Sequence, residues 1–260
     1  MPADLQSSGG LLDQGYIAMY NLDFAGAHRC FQEWQHLHPE DPFGPVSDAA
    51  AYLFFEFDRL KIMRSEFFTA DRAFLNSSKL KPDPRVRSAF EADLQKSKQL
   101  SDAILQRQPS DEGALFAAVV RIALQANYDA LIDKSYLKAL SEIKEARNNA
   151  NALVARYPDN KDAYLADGVE NYLLSQKVAA VRWVLRLTGA ETDKAEGLAK
   201  LRIVAAQGHY LKPYAKVLLA IAALRDGRKA EARDLMTELA TQFPHNDLFQ
   251  AELKKLSSGP

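Results

Sequence analysis

Asp167 and Glu170 stand three apart in a stretch with helical patterning, so both carboxylates can face one way, with Tyr164 one turn back. Paired carboxylates can bind a metal or exchange protons, although a solvated helix edge has the same spacing. The five histidines are scattered. His28 and His36 can share a helix face, but at 1.5 Å per residue they lie about 12 Å apart, too far for one metal ion. His36 and His38 point to different sides near Pro39, where a cationic imidazole suits the end of a helix. His209 follows Gly208 and His245 follows Pro244, both loop positions. Cys30 is the single cysteine, which excludes an intrachain disulfide and a cysteine-based metal site. There is no phosphate-cradling glycine loop, nucleophile elbow or paired zinc-histidine helix. These residues therefore predict binding rather than catalysis, with no metal and no cofactor.

Composition narrows the partner. The chain has 260 residues, 47% apolar and 26% charged, enough to bury a sizeable core. A net charge of -1 and a pI near 6.5 supply no field for polyphosphate, so nucleic acid is not expected as a partner. The one basic cluster, Lys79, Lys81, Arg85 and Arg87 around Pro82 and Pro84, reads as a solvated loop entering a helix. The longest apolar runs, residues 49–55 and 217–224, fall well short of the roughly 20 residues of a bilayer span, so no transmembrane segment is expected. Residues 1–10 lack both a basic start and an apolar stretch and do not read as a signal peptide. Because the first helix begins close to Met1, cytoplasmic and periplasmic locations both stay open.

The elements that position these residues read as helices throughout. Asp41-Pro42 and Asp83-Pro84 each offer an N-cap followed by a proline suited to a first turn. Asp193 with Glu196 forms a capping-box-like start for a helix that Gly208 ends. Pro39, Pro109, Pro158 and Pro244 close further helices. Residues 247–256 predict a short closing helix with Leu248, Leu253 and Leu256 inward and Lys254 and Lys255 outward.

A length of 34 residues fits at both ends with shared landmarks. From Ser8, positions 4, 8, 11, 20, 24 and 32 are Leu11, Gly15, Ala18, Ala27, Phe31 and Pro39. From Pro213, positions 8, 11, 20, 24 and 32 are Ala220, Ala223, Ala232, Met236 and Pro244. This pattern resembles the tetratricopeptide repeat, and Gly197, Leu201, Ala205, Ala206, Gly208 and Ala215 also resemble the related Sel1 type. The resemblance implies an all-α, right-handed solenoid of about five helical hairpins with insertions in the central units. The domain spans 8–256, with units 8–41, 42–111, 112–160, 161–212 and 213–246, a cap at 247–256, and tails at 1–7 and 257–260. Insertions fall at 59–80, expected to add a helix, at 126–137, expected to lengthen a turn, and at 176–190, expected to add an apolar helix.

In the family, the first helix of each unit lines a concave binding face. Carried over, that face holds Leu12, Tyr16, Met19 and Tyr20, then Phe116, Val120, Ala123 and Leu124, then Leu165, Val169, Tyr172 and Leu173, then Val217, Ile221 and Leu224. Leu12 and Tyr16 stand where carboxylate-clamping members carry lysine and asparagine, so a chaperone-style C-terminal peptide is not expected. The helix over 214–224 is apolar nearly all round and must be covered, either by the closing helix, by the 176–190 insertion, or by a partner. The leading expectation is a non-enzymatic scaffold that binds an apolar helix or extended peptide of a protein partner, with self-association also open. Tyr16, Met19, Tyr20, Phe116, Val120, Leu165, Tyr172 and Trp183 are its candidate contacts. The alternatives are a carrier of lipid or a small apolar ligand, with Trp183, Val184 and Leu187 beside Arg182 and Arg186 on a membrane surface, and an unrecognised enzyme.

Overall fold

The computed structural model describes residues 10–63, 80–175 and 193–258, and among them the chain is all-helical. The helices are α1 (Leu11–Tyr20), α2 (Phe24–Leu37), α3 (Phe43–Arg59), α4 (Pro84–Arg107), α5 (Glu112–Leu131), α6 (Tyr136–Arg156), α7 (Tyr164–Ser175), α8 (Lys194–Gln207), α9 (Lys212–Arg225), α10 (Lys229–Gln242) and α11 (Asp247–Ser258), with a 3-10 turn at Lys161–Ala163.

One local device recurs four times. Helices α2, α4, α6 and α10 each stop two residues before a proline, at Pro39, Pro109, Pro158 and Pro244. A proline disfavours helical backbone in the residue before it, and that residue is non-helical in every case: His38, Gln108, Tyr157 and Phe243 have ψ of 66, 82, 71 and 72°. Its carbonyl then accepts from the N–H three residues on, at Asp41, Asp111, Asn160 and Asn246 (3.0–3.1 Å). Those four side chains turn back to cap the next helical segment, accepting from Phe43 N, Ala114 N, Ala163 N and Phe249 N. Each Pro-x-Asp/Asn step thus ends one helix and starts the next.

The end units share more than landmarks. Counted from Ser8 and Pro213, the first helix ends at position 13, the second runs from 17 to 30, and position 15 takes positive φ, at Leu22 (64°) and Gly227 (74°). The central units are longer, and one differs from expectation. Residues 126–131 do not lengthen a turn but continue α5, because Ala126, Tyr128 and Leu131 prolong its buried face and Tyr128 stacks on Phe90 at 5.1 Å. The turn is confined to residues 132–135. Likewise, Pro42 is the N-cap residue of α3 rather than its first helical residue, and it is Asp41 that accepts from Phe43 N at 2.9 Å. The insertion 176–190 and most of 59–80 lie outside the described residues.

Each helix packs on the next in the chain, from α1 on α2 through α10 on α11, and the core runs continuously from Leu12 to Phe243. Phe31, Phe90, Phe243, Met19 and Leu53 are among its fully buried side chains. A smaller cluster of Leu165, Leu198, Leu201, Val204, Ala215, Leu219 and Ala222 joins α7, α8 and α9. By length and composition α5 could cross a membrane, but 61% of that stretch is buried inside the protein, as in a core helix.

The two ends of the chain meet. Tyr20 Oη donates to the Tyr210 carbonyl at 2.9 Å, Asn246 Nδ2 donates to the Tyr20 carbonyl at 2.7 Å, and His245 N donates to Asn21 Oδ1 at 3.1 Å. The Tyr16 ring stacks on Tyr210 at 4.6 Å, and Tyr20 meets Phe243 at 5.3 Å. Contacts across 190 to 226 residues thus close the helices around a common interior.

Candidate functional site

That interior holds a cavity of about 300 Å³. The expected contacts Tyr16, Met19, Tyr20, Phe116, Val120 and Leu165 all line it, so helices α1, α5 and α7 bring together residues up to 149 positions apart. They do not form an open face: none is more than 8% exposed. The side chain of Tyr172 and all of Trp183 lie outside the described residues. Sequence reasoning misses part of the other walls, although it expects Leu248 and Leu256 of the closing helix to face inward. Phe54 and Phe57 come from α3, to which the repeat pattern assigns no groove positions, and Tyr214 comes from the start of α9. Leu248, Phe249 and Leu256 come from α11, so the closing helix contributes directly to the cavity.

The walls are aromatic and interlocked. Tyr16 meets Phe31 edge-on at 5.3 Å, Phe43 stacks on Phe116 at 5.3 Å, and Phe54 meets Tyr214 edge-on at 5.7 Å. Buried phenols need partners. Ser47 Oγ donates to the Phe43 carbonyl at 2.7 Å, which leaves Tyr16 Oη to donate to Ser47 Oγ at 3.1 Å. Burial raises the Tyr16 and Tyr20 phenols well above their ordinary range and pushes Tyr210 and Tyr214 up to about 12. All four stay neutral at physiological pH and cannot serve as bases there.

One acidic group anchors the closure. Asp162 is 5% exposed and accepts three backbone N–H groups: His209 at 2.9 Å and Leu211 at 3.3 Å on Oδ1, and Tyr210 at 2.8 Å on Oδ2. Burial pushes its carboxyl up from the usual range, and the three N–H donors oppose that shift. Gly208 makes the approach possible: its φ of −64° is ordinary, but an added Cβ would lie 2.5 Å from Asp162 Oδ1 and 2.6 Å from the Val204 carbonyl. It therefore serves close packing rather than a left-handed cap.

Several of the residues first considered for chemistry have partners of their own. Asp167 accepts from Asn171 Nδ2 at 3.1 Å, with Lys200 Nζ 3.8 Å away, and the side chain of Glu170 lies outside the described residues. Among the described residues no three acidic, histidine or cysteine side chains are grouped to hold a metal. His209 pairs with Asp13, and His38 stacks on Trp34 at 4.0 Å.

His28 contacts Asp48 through Nδ1, and its ring packs 4.0 Å from Tyr52. Across α3 and α4, Asp93 belongs to the same patch. Burial, with the nearby charge of Asp48, pushes its carboxyl up to about 7, while Lys96 and His28 oppose the shift. A carboxyl whose folded pKa exceeds its unfolded pKa costs stability once it ionises, so the penalty grows from about pH 4 and levels off above about pH 7. Asp93→Asn is expected to be more stable than the parent by about 1–2 kcal/mol at pH 8, after discounting for partial exposure, and to lose that advantage near pH 4. Urea midpoints measured across that range check it; an advantage that grows on acidification would contradict it.

No protein-family model, curated protein or solved structure matches this chain.

Proposed function

We propose that this chain is a non-enzymatic binding protein, built as a right-handed solenoid of about five tetratricopeptide-like hairpins, whose interior cavity receives a small apolar ligand. The repeated Pro-x-Asp/Asn steps and the matching boundaries of the end units support the repeat reading. The observation that carries the functional reading is the cavity: about 300 Å³, walled mainly by aromatic and aliphatic side chains from five or more helices. That volume lies at the lower end for ligand pockets. The residues expected along an open groove, Tyr16, Met19, Tyr20, Phe116, Val120 and Leu165, are instead buried around this cavity, which supports a small ligand over the peptide scaffold that the groove positions suggest.

A 150 Å³ apolar cavity takes a benzene ring, so this one has room for about twelve carbons. Naphthalene at saturation is expected to raise the melting temperature, contributing about 2.7 kcal/mol at 100 times its Kd. Ala123, on the wall contributed by α5, is the place to block it. Ala123→Phe should abolish the shift while leaving the circular dichroism helical. An unchanged shift in Ala123→Phe, or no shift in the parent, removes the cavity as the binding site.

A further inference from the structure

The polar groups along the cavity wall restrict the kind of ligand. We infer that the cavity is selective for a neutral, largely apolar molecule of about ten to twelve non-hydrogen atoms bearing one hydrogen-bond acceptor, which the Tyr214 hydroxyl receives. This rests on the cavity reading above and adds the ligand's chemical class.

The first support is charge. Among the described residues lining the cavity there is no lysine, arginine or histidine, and the two ionisable carboxyl side chains are Asp162 and Glu252. Asp162 already holds three N–H groups, and Glu252 accepts from Lys255 at 2.7 Å. Among the described residues, a fatty carboxylate or a phosphate headgroup would shed its hydration and meet acidic groups with no lysine, arginine or histidine in the wall. Neutral ligands avoid that cost.

The second support is the count of hydroxyl donors. Among the described residues three tyrosines line the cavity. Tyr16 is satisfied by Ser47 and Tyr20 by the Tyr210 carbonyl, whereas the Tyr214 hydroxyl has no hydrogen-bond partner among the described residues. Its ring is fixed edge-on against Phe54 at 5.7 Å. A phenol that lines the cavity with its hydroxyl unpaired marks a place where a ligand acceptor is rewarded. Burial holds it at about 12, so it remains a neutral donor rather than an anion. A carbonyl or ether oxygen meets this requirement, and a saturated hydrocarbon does not.

Three probes of equal chain length separate the possibilities: decane, decan-2-one and sodium decanoate, each equilibrated at pH 8 with the full chain by dialysis and quantified by gas chromatography. The ketone-to-decane affinity ratio is expected to be roughly five- to tenfold higher in the parent than in Tyr214→Phe, as one hydrogen bond supplies. The ketone should also exceed decanoate by at least tenfold. Decane binding should be the same in Tyr214→Phe as in the parent, so that the fall in the ratio comes from the ketone alone. Equal or tighter binding of decanoate overturns the inference while leaving the cavity reading intact, and so does a ratio unchanged in Tyr214→Phe. If none of the three binds the folded protein, the cavity reading itself fails. Should Tyr214→Phe not fold, the order of ketone and decanoate on the parent still decides the question.

Discussion

Asp162→Ala is expected to lower the stability of this chain by about 3 kcal/mol and to release the loop at residues 208–211. The carboxylate is buried and is the shared acceptor for the N–H groups of His209, Tyr210 and Leu211. Removing it leaves three part-buried donors, and each group left unsatisfied costs up to roughly 1–3 kcal/mol before relaxation. Relaxation has a second consequence. Tyr210 is also the residue whose ring stacks on Tyr16 and whose carbonyl accepts from Tyr20, so loosening 209–211 loosens the joint between the chain's two ends. Asp162→Asn keeps one oxygen acceptor and should cost less, about 1–2 kcal/mol. Urea denaturation reads the global effect as a shifted midpoint. Amide exchange reads the local one, with protection at 209–211 lost in Asp162→Ala and reduced in Asp162→Asn. If Asp162→Ala exchanges like the parent in that loop, the carboxylate is not its anchor.

How much of this was legible in the sequence depends on how far apart the interacting residues lie. The helix ends before Pro39, Pro109, Pro158 and Pro244 are local, set by a steric rule between a proline and its predecessor, and the closing helix at Asp247–Ser258 follows from its own spacing of leucines. The asparagine or aspartate two residues after each of those prolines was equally local, and reading it would have exposed the repeated turn and cap. Groove positions were legible only through the resemblance to the tetratricopeptide repeat, which puts Tyr16, Phe116 and Leu165 on one face, and these three reach the cavity. Periodicity states that such a face must be covered, but not by what. The cover comes from Tyr210, Phe243 and α11, about 190 to 230 residues away from α1, and Asp162 reaches its partners across 47 to 49. Residues 126–131 mislead for a different reason: extra residues between two helices can extend a helix as well as a turn, and the buried Tyr128 favours the helix.

Gly15→Ala is expected to destabilise the protein by about 2 kcal/mol, although alanine is the better helix former by about 1 kcal/mol. Gly15 lies within α1, and a Cβ placed there would stand 2.3 Å from Cε1, 2.7 Å from Cδ1 and 2.8 Å from Cζ of Phe31 on α2. That ring has nowhere to go: it is fully buried and meets Tyr16 edge-on at 5.3 Å. Forcing an extra methyl into such a contact costs roughly 1–3 kcal/mol in a core, and here it must part α1 from α2, so the clash outweighs the propensity gain. The same displacement would move Tyr16 and Tyr20, which line the cavity, so loss of ligand uptake should accompany loss of stability. Phe31→Leu makes the test specific, because it costs stability alone but opens the space that the added methyl needs. In the double variant the combined loss should be smaller than the sum by about 1 kcal/mol, a coupling that only contacting residues show. Full additivity, or a Gly15→Ala protein as stable as its parent, would mean that α1 and α2 do not depend on this close approach and that the glycine at position 8 of the first unit serves another purpose.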